Sequence, residues 1–424
     1  MVGRTLPSPR VSVEYDPFSP EVMRDPYPLY RELRAAHRVY ALPEYDAWAL
    51  TRFDDVWQVL ADRHTFSIVE GPVFRREQLL HHNDGRVPVA PAARPVPSFS
   101  MLDAPVHTQL RKAMLGPFRP GFVSGLEVMV RTLARDRLDE LSDRPRFDVR
   151  HDYASWVAAS VAAHQLGFPA SDATGLVTLV NRTVQRAPGQ SGATADGLEA
   201  RGQLRDYLID VVAERRAHPH VDPVDALDGL LTCDLTSDLG GGALDDAEIA
   251  DQVSTLFVGG SETLPKVLAD AVYELWRDPA QRDEFAGDLT RAPRVFEEAL
   301  RHGLPLQFVG RTLVVDAEVA GVPMRAGQRV VALLICANRD EREFADPERF
   351  DAARFGSSGA AERNLGFGHG VHVCIGAHVA RLEGTVMLQE LLARHPRYEV
   401  DDRDLRREGS EFHVSWVEMP IVVA

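Results

Sequence analysis

Residues 365–376 run Leu-Gly-Phe-Gly-His-Gly-Val-His-Val-Cys-Ile-Gly, so a single thiol, Cys374, follows three alternating glycines. Gly366, Gly368 and Gly370 suit a backbone that turns through left-handed dihedrals and passes close to a bulky partner. Ile375, Val379, Leu382 and Val386 then recur at the spacing of one helical face, which predicts a helix starting at the cysteine. Unpaired N–H groups and the positive end of the dipole at that point favour thiolate over thiol. The chemistry on offer is ligation of a metal by a rigidly held thiolate. A lone cysteine is more often a small buried hydrophobe, and His369, His372 and Cys374 could be read as part of a zinc site. Zinc takes four ligands, usually with a second Cys or His pair, and no such pair lies nearby.

A second reactive set stands in Gly259-Gly260-Ser261-Glu262-Thr263-Leu264-Pro265. Asp245 and Glu248 read as a capping box that opens a helix running to about Arg277, which places this set mid-helix. Two glycines and a proline each penalise a helix interior, and Pro265 leaves the Ser261 carbonyl without its usual donor, which predicts a kink. A local rule broken there marks a functional position for an acid and an alcohol, Glu262 and Thr263. The bland alternative is a glycine-kinked packing helix with an exposed glutamate and a capping threonine. His107 and Arg111, four apart behind Pro105, put two cationic or hydrogen-bonding groups on one helix face. Glu298 and Arg301, three apart, read on their own as a surface pair of roughly a few tenths of a kcal/mol.

In this order the stretches resemble the cytochrome P450 family of haem-thiolate monooxygenases, in its soluble bacterial type. The pattern Phe-Gly-x-Gly-x-His-x-Cys-x-Gly of the family's haem-binding loop is met at every fixed position from Phe367 to Gly376. In that family the cysteine thiolate pushes electron density onto iron and favours O–O cleavage. The resemblance implies a mainly α fold with small β-sheets, a triangular-prism helical architecture with a long central distal helix, and haem b whose iron is held by Cys374. It implies that Gly259 and Gly260 widen a groove for dioxygen while Glu262 and Thr263 feed protons to it. Glutamate is a common alternative to aspartate there, whereas Leu264-Pro265 stands where many relatives have a second threonine. His107, Arg111, Arg311 and His372 are implied to surround the haem propionates, which need charge-assisted donors, and Phe367 and Gly368 to bind the cofactor. Glu298 and Arg301, together with Pro347-Glu348-Arg349-Phe350, resemble the family's buried charge network with its later arginine partner.

The reaction implied is hydroxylation or epoxidation by O2 of a medium-sized organic substrate, such as a terpenoid or polyketide of secondary metabolism. Electrons come from a separate ferredoxin and ferredoxin reductase, or flavodoxin. Two alternatives stay open: a haem-binding sensor or scaffold without oxygenase activity, against which Glu262 and Thr263 speak, and a peroxide-driven peroxygenase, whose relatives replace that pair.

With 424 residues, 45% of them hydrophobic, the chain can build a substantial core. Length alone would suggest two or three domains; the resemblance implies one haem domain over 1–424, with β-rich parts at roughly 38–52, 311–332 and 398–423. A net charge of −16 argues against nucleic-acid partners. Cys233, Cys336 and Cys374 are too few for a disulfide framework and suit a reducing cytoplasm. No signal-peptide core or membrane-length apolar run occurs, so the expectation is a cytoplasmic monomer without membrane attachment. Lys112 and Lys266 are the only lysines among 47 basic residues, a bias that points to GC-rich bacterial coding.

Along the chain, Pro26 and Pro28 open an amphipathic helix carrying Leu29, Leu33 and Ala36. Residues 39–42 and 47–51 form a hairpin, and 54–61 is helical. From Phe66 to Ser100 periodicity fails, and Pro88, Pro91, Pro95 and Pro97 exclude a regular helix; in the resemblance this loop caps the substrate pocket. Arg75, Arg76, His81, His82, Leu306, Phe308, Phe412 and His413 are expected around that pocket. Asn181, Arg182, Gln185 and Arg186 lie where relatives keep a mobile lid, or on an exposed polar face. A strand at 312–315, a hairpin turn at 321–327 and a late strand at 411–416 are expected. Lys112, Arg119, Arg363 and His369 make a basic patch on an acidic protein, suited to an acidic ferredoxin.

Overall fold

The computed structural model describes residues 13–89, 94–185, 192–221, 224–236, 241–356, 363–403 and 405–423; Pro91 and Arg186 lie outside them. Five helices carry or support the reactive residues: α1 (Val106–Met114), α2 (Ser155–Leu166), α3 (Asp246–Arg277), α4 (Ala292–His302) and α5 (Ala377–Arg394).

The 32 residues of α3 begin where the sequence says they should. The Glu248 N–H donates to the Asp245 carboxylate at 2.8 Å, and the Asp245 N–H donates back to Glu248 at 3.1 Å, which satisfies two donors at the helix start. The helix runs unbroken through Pro265, which therefore removes one hydrogen bond without ending it. Ile249, Val253, Phe257, Leu268, Val272 and Leu275 are buried on successive turns, because α3 is enclosed by neighbours rather than lying on a surface. Helix α2 packs along it, and its buried Ala158, Ala159, Ala162 and Ala163 are small enough to let two backbones approach.

Five strands, β1 (Val39–Leu42), β2 (Ala47–Leu50), β3 (Phe66–Ser67), β4 (Val309–Leu313) and β5 (Arg329–Ala332), form a sheet in the order β1-β2-β5-β4-β3. Only the β2–β5 pairing is parallel. Arg311 lies in β4, opposite Val330. The expected strand at 312–315 is thus shifted toward the N-terminus.

A second sheet joins Tyr398–Val400, Pro420–Val423 and Arg146–Asp148, the last of these unforeseen. Between its two C-terminal strands the expected strand at 411–416 is absent, replaced by isolated bridges Leu306↔His413 and Arg407↔Trp416. The Phe412 and His413 N–H groups donate to the Ser410 hydroxyl, and the Val414 N–H to the Pro305 carbonyl, so the segment is pinned to the 304–307 chain rather than to a ladder. The 321–327 turn is also redrawn: Val322–Met324 is itself a strand, paired with Ala317–Val319.

The 66–100 segment contains a five-residue helix, Arg76–Leu80, between Pro72 and Pro88. It is tied down at Glu70, which accepts from Arg329 at 2.7 Å, and at Arg94, which pairs with the buried Glu248. The largest core cluster draws on α1 to α5 together. A smaller one gathers Tyr15, Phe18, Leu33, Phe74, Phe308 and Val331. Among the described residues no helix is long and apolar enough to cross a membrane.

Candidate functional site

A cavity of about 390 Å³ is lined by Phe367, Gly368, His372 and Cys374 of the glycine loop, by Gly259, Gly260 and Thr263 of α3, and by Arg111 and Arg311. The loop takes its shape from close packing. A Cβ at Gly366 would overlap Leu300 of α4, and Gly370, at φ +75°, would drive one into the Leu60 carbonyl. The Cys374 N–H donates to the Phe367 carbonyl at 2.9 Å, which closes the turn.

Cys374 precedes α5 by three residues, with Gly376 as the N-cap, and its side chain opens onto the cavity. The helix start pulls the thiol toward thiolate as expected, through the Gly376 N–H, but burial outweighs it. Burial pushes the thiol pKa up, against the weaker downward pull of the Gly376 N–H, Arg111 and Arg381. A bound metal deprotonates a coordinating thiol outright.

Four basic groups crowd one wall, and among the described residues no carboxylate pairs with them directly; Asp103 acts on His107 and Arg311 only as the weakest influence. The His107 and His372 rings lie 4.1 Å apart, and the Nε2 atom of each is buried without a hydrogen-bond partner. Burial, then Arg111, lowers the His107 pKa to about 4; burial, then His107, Arg311 and Arg111, lowers that of His372 to about 3. Burial brings Arg311 down to about 10, against the opposing pull of Asp103. Arg111 donates to the Val373 carbonyl and Arg311 to that of Gly310, and among the described residues neither has a carboxylate at ion-pair distance. Two arginines without a direct ion-pair partner, Arg311 buried and Arg111 partly so, and two orphaned imidazole nitrogens are the donor set that an anionic cofactor edge requires.

On α3, Gly259 and Gly260 are exposed to the cavity, and nothing would meet a Cβ at Gly259, so the groove beside them is open. Thr263 faces the same space. Glu262 does not: its buried carboxylate lies against the Lys266 ammonium one turn on.

A family model described as Cytochrome P450 matches residues 287–411. Cytochrome P450 130 of Mycobacterium tuberculosis is 32% identical over 418 residues, covering 97% of this chain and 98% of that protein. The chain belongs to the cytochrome P450 family. Erythromycin C-12 hydroxylase of Saccharopolyspora erythraea is 34% identical over 374 residues, 85% of each chain. The solved structure of a mutant of P450 EryK in complex with erythromycin B superposes with a TM-score of 0.78 at 31% identity, covering 95% of this chain and 97% of that one. As a member of the family the protein is a monooxygenase that uses a haem iron, an organic substrate, O2 and a redox partner.

The loop of this P450 rests on a buried charge network. Arg301 donates to both oxygens of Glu298, at 2.7 and 2.8 Å, with neither side chain exposed. It also donates to the Asn338 carbonyl, and the Asn338 side chain in turn accepts the Leu365 N–H at 2.9 Å, which links the network to the start of the loop. The third member is Arg354, whose Nε lies 3.1 Å from both Glu298 oxygens; Arg349, expected in that role, is exposed and offers only its carbonyl. A turn closed by the Arg354 N–H on the Asp351 carbonyl brings the later arginine back.

Other expectations are also redrawn in the P450. Leu306, Phe412 and His413 line the cavity. Arg75, Arg76, His81 and His82 are exposed, with Arg76 against Glu44 and His82 Nε2 2.9 Å from the Glu44 carbonyl, because their short helix faces outward. Phe308 points into the smaller core cluster. Arg182 is held by Asp196 at 2.7 Å, which favours the polar-face reading of that stretch.

Sequence reasoning missed Ser100 and Thr255, two lining hydroxyls joined through Ser98. It also missed Glu383, a lining acid whose Oε2 is buried without a partner and whose pKa burial raises well above the ordinary value. Its signal was present: an acid among Val379, Leu382 and Val386 interrupts an apolar helix face.

Proposed function

We propose that this P450 hydroxylates a medium-sized, largely apolar secondary metabolite of terpenoid or polyketide type, acting as a cytoplasmic monomer with the whole chain as one haem b domain. The observation that carries the reading is one cavity lined at once by Cys374 and by Gly259, Gly260 and Thr263. Its remaining wall is mainly Ile68, Leu166, Leu256, Leu304 and Val309, with Ser100, Thr255 and His413 as sparse polar anchors, which suits an apolar ligand oriented by a few hydrogen bonds. The relative named for hydroxylating erythromycin supports the same substrate class.

Bound haem supplies the activation of dioxygen and the oxidising power for oxygen insertion. Cys374 would hold its iron, His107, Arg111, Arg311 and His372 its carboxylates, and Phe367 and Gly368 would lie along it. Thr263 holds a donatable proton at the cavity wall, and Glu262, which precedes it in the chain but is turned toward Lys266, is the acid that would replace that proton. The apolar wall excludes bulk water from the reaction space. The test is a spectral titration of purified protein with macrolides, terpenoids, steroids and aromatic acids, followed by turnover. Thr263→Ala binds the same ligands yet diverts on the order of nine-tenths of electrons to peroxide or water, in keeping with the size of positioned proton-transfer effects. Unchanged coupling of electron use to product would remove the pair from the mechanism.

Electrons come from a separate ferredoxin system that docks near Lys112 and Arg119, both exposed. Arg363 contributes less than its charge suggests, since Asp54 and Glu343 hold it at 2.7 and 2.9 Å, and His369 is stacked on Trp57. Reversing charge at Lys112 and Arg119 slows ferredoxin-driven reduction and flattens its salt dependence, whereas reversal at Arg363 has a smaller effect. Equal rates in all variants would move the docking site elsewhere.

A further inference from the structure

Lys266 is one of two lysines in a chain with 47 basic residues, and its side chain is fully buried inside α3. Its ammonium lies against the Glu262 carboxylate, 3.0 Å from Glu408 Oε2 and 2.8 Å from His413 Nδ1. An ammonium donates and cannot accept, so it donates to His413 Nδ1 while the two carboxylates sit against it as ion-pair partners. His413 accepts at Nδ1 and therefore carries its proton on Nε2. Glu262, Glu408 and His413 converge in the manner of a metal-ligand set, but the ammonium occupies the point of convergence.

We propose that Glu408 and Lys266 form a proton-transfer chain from the protein surface to Glu262. The proposal rests on the reading that Glu262 and Thr263 supply protons to the cavity. Exposure gives the chain its direction: the side chain of Glu408 is 13% exposed, those of Lys266 and Glu262 0% and 4%. Glu408 is the member that meets solvent, and Glu262 the one that directly precedes the cavity alcohol, Thr263, in the chain.

The charges suit transfer. The His413 Nδ1 accepts from the ammonium, so two carboxylates face one cation and the buried cluster holds one more negative than positive charge. Arg150, its guanidinium fixed on the Trp416 and Val417 carbonyls, also bears on it: against burial and the Glu262 charge, Lys266 and then Arg150 hold Glu408 below the usual carboxylate range. The Ser415 hydroxyl also donates to Glu408, at 3.2 Å.

In one cycle Thr263 passes a proton into the cavity; solvent protonates the Glu408 carboxylate, Lys266 gives its proton to the Glu262 carboxylate and takes the one on Glu408, and Glu262 passes the proton it received to Thr263. Each group ends as it began, and one proton has moved inward. Lysine is required for this: arginine at the same place keeps the ion pairs but does not release its proton.

The test compares wild-type holoprotein with Lys266→Arg, Glu408→Gln and Glu262→Gln. Each is checked for folding by thermal melting and for loading by the carbon monoxide spectrum. With a surrogate ferredoxin system, NADPH consumption and peroxide release are followed in H2O and D2O. Lys266→Arg and Glu408→Gln are expected to slow consumption on the order of tenfold, below the usual range because water offers a bypass, and to enlarge the solvent isotope effect. A second readout does not depend on turnover. In carbon monoxide-bound protein labelled at lysine Nζ, the signal that survives Lys112→Arg belongs to Lys266, and its proton exchange with water is expected to slow several-fold in Glu408→Gln.

Wild-type turnover and isotope effect in Lys266→Arg would leave the cluster a mere ion pair and overturn the chain, as would unaltered exchange in Glu408→Gln. The two variants probe the chain independently, so if one fails to fold the other still decides. If Glu262→Gln itself turns over normally, it is the reading of Glu262 that falls. If Glu262→Gln is slow while the other two match wild type, only the chain through Lys266 falls.

Discussion

Cys374→Ala protein, purified, reduced and exposed to carbon monoxide, lacks the thiolate-type Soret band, and its monooxygenase activity drops to background. No other described cysteine can substitute, because Cys233 and Cys336 are buried away from the cavity. The loss is chemical rather than structural. Cys374 opens onto the cavity instead of packing in the core, and the hydrogen bond that shapes the turn uses its backbone N–H, which alanine keeps. Melting of the haem-free proteins should accordingly agree within about 1 kcal/mol. A thiolate-type band in the variant would mean that the ligand lies elsewhere.

Glu298→Ala destabilises the protein by about 3–5 kcal/mol, the usual consequence of leaving a buried charge without its partner. Two guanidiniums, Arg301 and Arg354, converge on this carboxylate, and the Asp351 N–H donates to it as well at 2.8 Å. Removing it leaves two cations facing each other in the interior. Because Arg301 also positions Asn338, which accepts the Leu365 N–H, the damage reaches the Cys374 loop and haem retention falls along with the melting temperature. Arg354→Ala is damaging in the same sense, whereas Arg349→Ala stays within about 0.5 kcal/mol because that side chain is exposed. Equilibrium denaturation of the three variants checks the order; an Arg349 variant as unstable as the Glu298 one would return the role to Arg349.

Much of the local structure could be read directly. The hairpin at 39–50, the α3 boundaries at Asp246 and Arg277, and the helix after Cys374 all follow from capping residues, turn residues and apolar spacing. The reactive loop was legible for the same reason: its glycines, its cysteine and the start of α5 are near neighbours in the chain. Glu298 and Arg301 were legible as a pair but not in strength, since spacing on a helix is silent about what covers it.

What the sequence determined by itself was set by neighbours within a few residues: where α3 begins and ends, where the thiol stands, and which acid precedes which alcohol. Tertiary structure alone decided the partners that arrive from far along the chain. Arg354 rather than Arg349 reaches Glu298, because a turn at 351–354 aims it inward. Phe308 turns into the smaller core while Leu306 lines the cavity, and Glu262 is drawn to Lys266, Glu408 and His413 rather than into the pocket beside Thr263. Hydrogen bonding and backbone sterics act over a turn or a strand pair, so they leave their mark in local spacing. Burial and charge pairing depend on which distant segments close over a side chain, and that is settled only when the whole chain packs.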